Sequence, residues 1–205
     1  CTSHPQLQDY IASGMLKFAC LDITSTKPIV LSDKTTLDCS QNPMIVIANY
    51  IFDTVATDAF FIKDNTIEEL KIACYHHGKS IHCVSELEYD SKYSETHTEH
   101  YDHPVKNKIL KHYKAHFANH CVLMPTATID CLDHLRHLSN NRLLMLTTDK
   151  GWFHDNEVRQ ASKHYFDGVL TKHSTVSIEV NFHALKQYFE HHGGDGMLLN
   201  PQPSN

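Results

Sequence analysis

The apolar positions of this 205-residue chain fall into two kinds of run. Short continuous stretches, MLKFAC, MIVIA, CVLMP and RLLML, have the length and side chains of strands buried on both faces. They predict parallel strands at about 16–21, 43–48 and 142–147, with CVLMP as a shorter one. Other stretches repeat their apolar residues at helical spacing. HPQLQDYIAS reads as a helix with Ser3 as N-cap, Pro5 in its first turn and Gly14 beyond its end. Pro104 opens a second, with Val105, Ile109, Tyr113 and Phe117 four apart, and TATIDCLDHLRHLS is a third. TVSIEV is a strand feeding the helix NFHALKQYFEHH, which Gly193-Gly194 closes. Between about 59 and 89, FFIKDN, TIEELKIACYHH and SIHCVSELEY are extended runs separated by Asp64-Asn65 and His77-Gly78, the pattern of an antiparallel meander. The expected class is α/β, with a mainly parallel sheet covered on both faces. One domain would span 1–200, with an inserted meander and helical lobe at about 59–120 and a disordered tail at 201–205.

In open α/β sheets, ligands lie beyond the carboxyl ends of the strands. Asp22, Asn49 with Asp53, and Asp149 each fall just after an expected strand. Any one of them is an ordinary turn residue. Together they predict a polar rim, with the aromatic Tyr50 inside it.

Composition narrows the function classes. A net charge of −6 gives no electrostatic basis for a nucleic-acid or anionic-membrane partner. No apolar run approaches the roughly 18 residues of a membrane span, and no secretory leader pattern opens the chain, so a cytoplasmic location is expected. The seven cysteines are odd in number, form no CxxC and mostly sit in apolar segments, as reduced thiols do.

The residues around the rim carry a resemblance. NPMIVIANYIFDTVATDAF resembles the ANE-x-x-DALPV segment of the MidA-like S-adenosylmethionine-dependent methyltransferases, and bacterial members of that superfamily with ANYFFDS are closer still. HPQLQDYIASGMLKFACLD, RLLMLTTDKG and VSIEVNFHALKQYFEHHGG fit in order, so the likeness extends over most of 4–194. It implies a Rossmann-like class I methyltransferase fold. Asn49, Tyr50 and Asp53 would be catalytic, Asp22 and Asn49 would hold the S-adenosylmethionine cofactor, and Asp149 and Asn181 would lie on the substrate side. Asp22 would lie near the adenosine, and Asn49 beside the transferred methyl. An amide oxygen and a phenol suit this chemistry, since both accept hydrogen bonds from a nitrogen nucleophile and neither pairs tightly with a sulfonium. Tyr50 stands where the family has Glu, Ala56 where it has Pro and Asn181 where it has Asp. The acceptor is accordingly expected to be a protein side chain or another nitrogen or oxygen nucleophile, not arginine by default.

A methyltransferase also cradles its cofactor on a Gly-rich turn after its first strand. None of the seven glycines forms such a turn, and Gly193-Gly194-Asp195-Gly196 follows a helix. The expectation is an N-terminally truncated, C-terminal part of the domain that binds S-adenosylmethionine incompletely.

The 18 histidines support a second class, a His-rich metal-binding or pH-responsive noncatalytic domain. His97, His100 and His103 are three apart, His112, His116 and His120 four apart, and Cys131, His134 and His137 again three apart. Such spacings arise by accident in so His-rich a chain, neither HExxH nor paired CxxC is present, and no stoichiometric metal is expected.

Overall fold

The computed structural model describes residues 4–76, 78, 86, 88–161 and 178–199. Chain contacts divide into two compact units, Cys1–Val46 with Asp130–Leu146, and Ile47–Ile129 with Thr147–Asn205. The fold is mixed α/β, with both parallel and antiparallel sheets. In order the elements are α1 (Gln8–Ala12), β1 (Met44–Asn49), β2 (Asp58–Lys63), β3 (Thr66–Tyr75), β4 (Glu88–Thr96) and α2 (Pro104–His116). There follow β5 (His120–Met124), α3 (Thr126–Leu138), β6 (Leu143–Thr148), β7 (Gly151–Trp152), α4 (Asp155–Ala161), β8 (Val180–Asn181) and α5 (Phe182–His191). No helix among the described residues is long and apolar enough to cross a membrane.

The larger unit is built on an antiparallel sheet in the order β4-β3-β2-β5. Asp64, at φ +53°, makes the tight turn between β2 and β3 that the Asp-Asn pair predicts. The buried side chains of β2 and β5, Phe60, Ile62, Val122 and Met124, form the core with Ile109, Leu110 and Tyr113 of α2, with Phe117 just after it, and with Leu185 and Tyr188 of α5. The start of α2 follows from sequence: Pro104 needs no donor in the first turn, and His103 Nδ1 accepts from Lys106 N at 3.3 Å. The sheet is therefore not mainly parallel. CVLMP pairs antiparallel with β2, with Phe61, Phe60 and Ala59 opposite Cys121, Val122 and Leu123. The third strand of the meander lies at Glu88–Thr96, downstream of the expected SIHCVSELEY. Most of that run, the Ser3 cap, His77, the start of TVSIEV and the tail at 201–205 lie outside the described residues.

β1 and β6 form a two-stranded sheet. Met44 N donates to Arg142 O and Tyr50 N to Thr148 O with the same stagger at both ends, so the strands run parallel. One face is covered: Met44, Val46, Leu143 and Met145 lie against Ile29 and against Cys131 and Leu135 of α3. The other is open, with Ile45 65% and Ile47 72% exposed and Leu144 and Leu146 also exposed. The reading of these runs as strands buried on both faces is corrected: they alternate, and only one side has a cover. No strand forms at 16–21 either. Without a ladder partner, that segment makes only an isolated antiparallel bridge, Ala19 to Leu31.

The described cysteines Cys20, Cys39, Cys74, Cys121 and Cys131 are free thiols. Burial pushes Cys121 up to about 12 and Cys131 up to about 11, so neither is a nucleophile near neutral pH. Cys20 and Cys74 are exposed, against the expectation from their apolar surroundings.

Candidate functional site

The carboxyl ends of β1 and β6 meet in the larger unit, and Asn49, Tyr50, Asp53 and Asp149 cluster there. Asn49 is the last residue of β1 and is exposed. Tyr50 takes the left-handed conformation, φ +54°, which turns the chain sharply out of the sheet and leaves its ring 73% exposed. A bulky non-glycine residue in that region is held there by its surroundings. Its amide is fixed on Thr148 O at 2.9 Å, and Phe52, two residues on, is buried as an anchor.

Asp149 is the clamp. Its Oδ2 accepts from Phe52 N at 3.1 Å and Asp53 N at 3.3 Å, and its Oδ1 accepts from Lys150 N at 2.9 Å. The carboxylate thus caps the single 3-10 turn Phe52–Thr54 and ties the loop after β1 to the end of β6. Asp53 O accepts from Ile178 N at 2.8 Å, and Lys150 O from Val180 N at 2.7 Å, which brings β8 alongside β7. Gly151 lies against Val180 O so closely that a side chain has no room there.

Burial, and then the Asp149 charge, raise the pKa of the Asp53 carboxyl. A carboxyl whose pKa is higher in the folded than in the unfolded chain costs stability once pH climbs through that raised value. Asp53→Asn is therefore expected to equal or exceed the wild type in urea midpoint at neutral pH. That advantage should vanish below the ordinary carboxylate range of about 4. A variant less stable than wild type at pH 7 would show that the ionised carboxylate has a favourable partner.

The remaining rim residues are placed differently. Asn181 is 2% exposed, and its amide is spent inside the protein. Nδ2 donates to Leu123 O at 2.7 Å and to Tyr113 Oη at 2.9 Å, and Oδ1 accepts from Ala184 N at 3.1 Å as the N-cap of α5. It holds a helix start. Asp22 belongs to the smaller unit. Its Oδ1 accepts from Thr24 N at 2.9 Å and Thr24 Oγ1 at 2.7 Å, bonds that hold its pKa below the usual carboxylate range. It lines a surface concavity of about 440 Å³ with Cys20, Leu21, Lys27, Pro28 and Ile29. The backbone donors of Phe52 and Asp53 were not foreseeable as site groups, since main-chain amides leave no mark in a sequence.

Set beside known proteins, the chain matches no family model and no curated relative.

Proposed function

We propose that the chain carries the acceptor side of an S-adenosylmethionine-dependent methyltransferase with a Rossmann-like class I fold, acting on a protein side chain or another nitrogen or oxygen nucleophile. The observation that supports this most directly is the parallel pair β1–β6, whose carboxyl ends present exposed Asn49 and Tyr50 on a loop pinned by Asp149. Ligands of open α/β sheets lie at that end of the strands.

Asn49 Oδ1 would accept a hydrogen bond from the nucleophile and aim its lone pair, while the Tyr50 ring and hydroxyl bound the acceptor from the side. Neither group takes a permanent proton, which suits a reaction governed by alignment and exclusion of water. When bound, the cofactor supplies an electrophilic methyl on a sulfonium. Of the groups that would hold it, Asp22 offers a carboxylate beside the apolar Leu21 and Ile29, a fit to the amino group and faces of an adenine. No Gly-rich turn for the methionine part occurs in these 205 residues.

The test is transfer of a labelled methyl from S-adenosylmethionine into protein of a cell extract. It uses the native polypeptide with whatever sequence flanks these residues, and the modified residue is then located by mass spectrometry. Absence of label above the level of a heat-inactivated control would sink the proposal.

A further inference from the structure

We propose that His112, Asp155 and His183 form a binding site for one divalent transition-metal ion, zinc fitting best, with a further coordination position open to the adjoining cleft. The site is independent of the methyltransferase reading and runs against the sequence expectation of no metal. Each of the three residues offers one ligand atom, and these atoms all lie within 4.8 Å of one another. They come from three elements of the larger unit: His112 from α2, Asp155 from the first position of α4, and His183 from the first turn of α5.

Two imidazoles and a carboxylate are a donor set suited to zinc, which takes nitrogen and oxygen ligands at about 2.0–2.2 Å. His183 Nε2 and Asp155 Oδ1 are already 2.7 Å apart. Asp155 is exposed and can turn about its own bonds to admit an ion.

A second observation points to a ligand. His112 Nε2 has lost its access to water and has no hydrogen-bond partner among the described residues. A buried polar atom left in that state is costly, and a metal would satisfy it. The His112 ring is set by stacking on His116, 4.4 Å between centroids, and stands 5.8 Å from the ring of His183.

The support behind His183 is of the kind metal sites use. Tyr113 Oη lies 3.0 Å from its Nδ1 and the Gln187 amide 3.3 Å from the same atom, both buried. Tyr113 Oη in turn accepts from Asn181 Nδ2. Without a metal, Tyr113 donates to Nδ1, and Nε2–H donates to Asp155. With zinc on Nε2, the ring proton sits on Nδ1, and the Tyr113 hydroxyl turns from donor to acceptor for it. The cleft beside the site, about 290 Å³, is lined by Lys108, Gln187, Glu190 and His191 as well as His112 and His183. Three protein ligands and an open side are the arrangement of a zinc that binds a water or an anion.

The test is zinc and cobalt binding to the full chain without an affinity tag, by equilibrium dialysis with elemental analysis, for wild type, His112→Gln, Asp155→Asn and His97→Gln. Wild type and His97→Gln should each retain one tight equivalent with a visible cobalt absorption. His112→Gln and Asp155→Asn should each weaken binding at least about tenfold and lose that absorption. In wild type alone, zinc should shift the imidazole NMR resonances of His112 and His183 and leave those of His97 in place, a readout that does not depend on how the variants fold. A wild type that retains no metal, or an equivalent unchanged in both ligand variants, or zinc-dependent shifts confined to other histidines, would overturn the proposal.

Discussion

Asn181→Ala is expected to lower the free energy of unfolding by about 2–3 kcal/mol, a cap of about 1 plus a buried carbonyl left unsatisfied. The side chain does three things at once. Its oxygen caps α5 on Ala184 N, and its two amide hydrogens bond Leu123 O on β5 and Tyr113 Oη on α2. Removing it strands the buried strand carbonyl and leaves the buried phenol with its His183 bond alone. Asn181→Asp keeps the cap but gives up the donors, so it should fall between Ala and wild type at neutral pH. Urea denaturation followed by circular dichroism measures both. A loss below 1 kcal/mol for the alanine variant would mean that the three bonds are replaced on mutation.

On the proposed methyltransferase reading, Asn49→Ala is expected to reduce methyl transfer by roughly a hundredfold, the cost of misplacing a reacting atom by about 1 Å. Affinity for S-adenosylmethionine should change little. The reason is position: Asn49 is exposed at the end of β1, its side chain makes no hydrogen bond among the described residues, and it sits at the loop that Asp149 holds. Its loss should not disturb the fold, so an unchanged melting curve is part of the prediction. Full activity of the variant would remove Asn49 from the acceptor side, whereas an equal loss of cofactor affinity would move it to the cofactor.

Much of the chain is legible in its residues because local signals and burial agree. Pro104 with the four-residue repeat to Phe117 gives α2, and Asn140 and Asn141, both left-handed, end α3 before β6. What sequence periodicity cannot supply is the neighbour. MIVIA reads as buried on both faces because every residue is apolar, yet Ile45 and Ile47 have no cover. MLKFAC has strand-like composition, but a strand exists only where a ladder partner does. Asn49, Asp53 and Asp149 could be grouped from sequence because each lies at or just after the end of a strand, Asp22 was grouped with them on the same signal although no strand forms before it, and the grouping of His112 with Asp155 and His183 was not legible. Spacing arguments compare residues within one helix, where His112, His116 and His120 look like a set, while the actual neighbours of His112 come from α4 and α5.

The clamp by Asp149 also orders events in time. Its carboxylate reaches the amides of Phe52 and Asp53 across sequence separations of 97 and 96 residues, whereas β2 and β3 meet through a tight turn at Asp64. Contacts so far apart reward the chain only after the entropy of closing the loop between them has been lost. The rim is thus expected to be acquired late in folding and surrendered first in local opening, which leaves the loop after β1 adjustable while the meander stays closed. Hydrogen exchange on the native protein reads this directly: the amides of Phe52 and Asp53 should exchange before that of Ile62 in the central strand β2, and equal protection at all three would place the rim inside the same cooperative unit as the sheet.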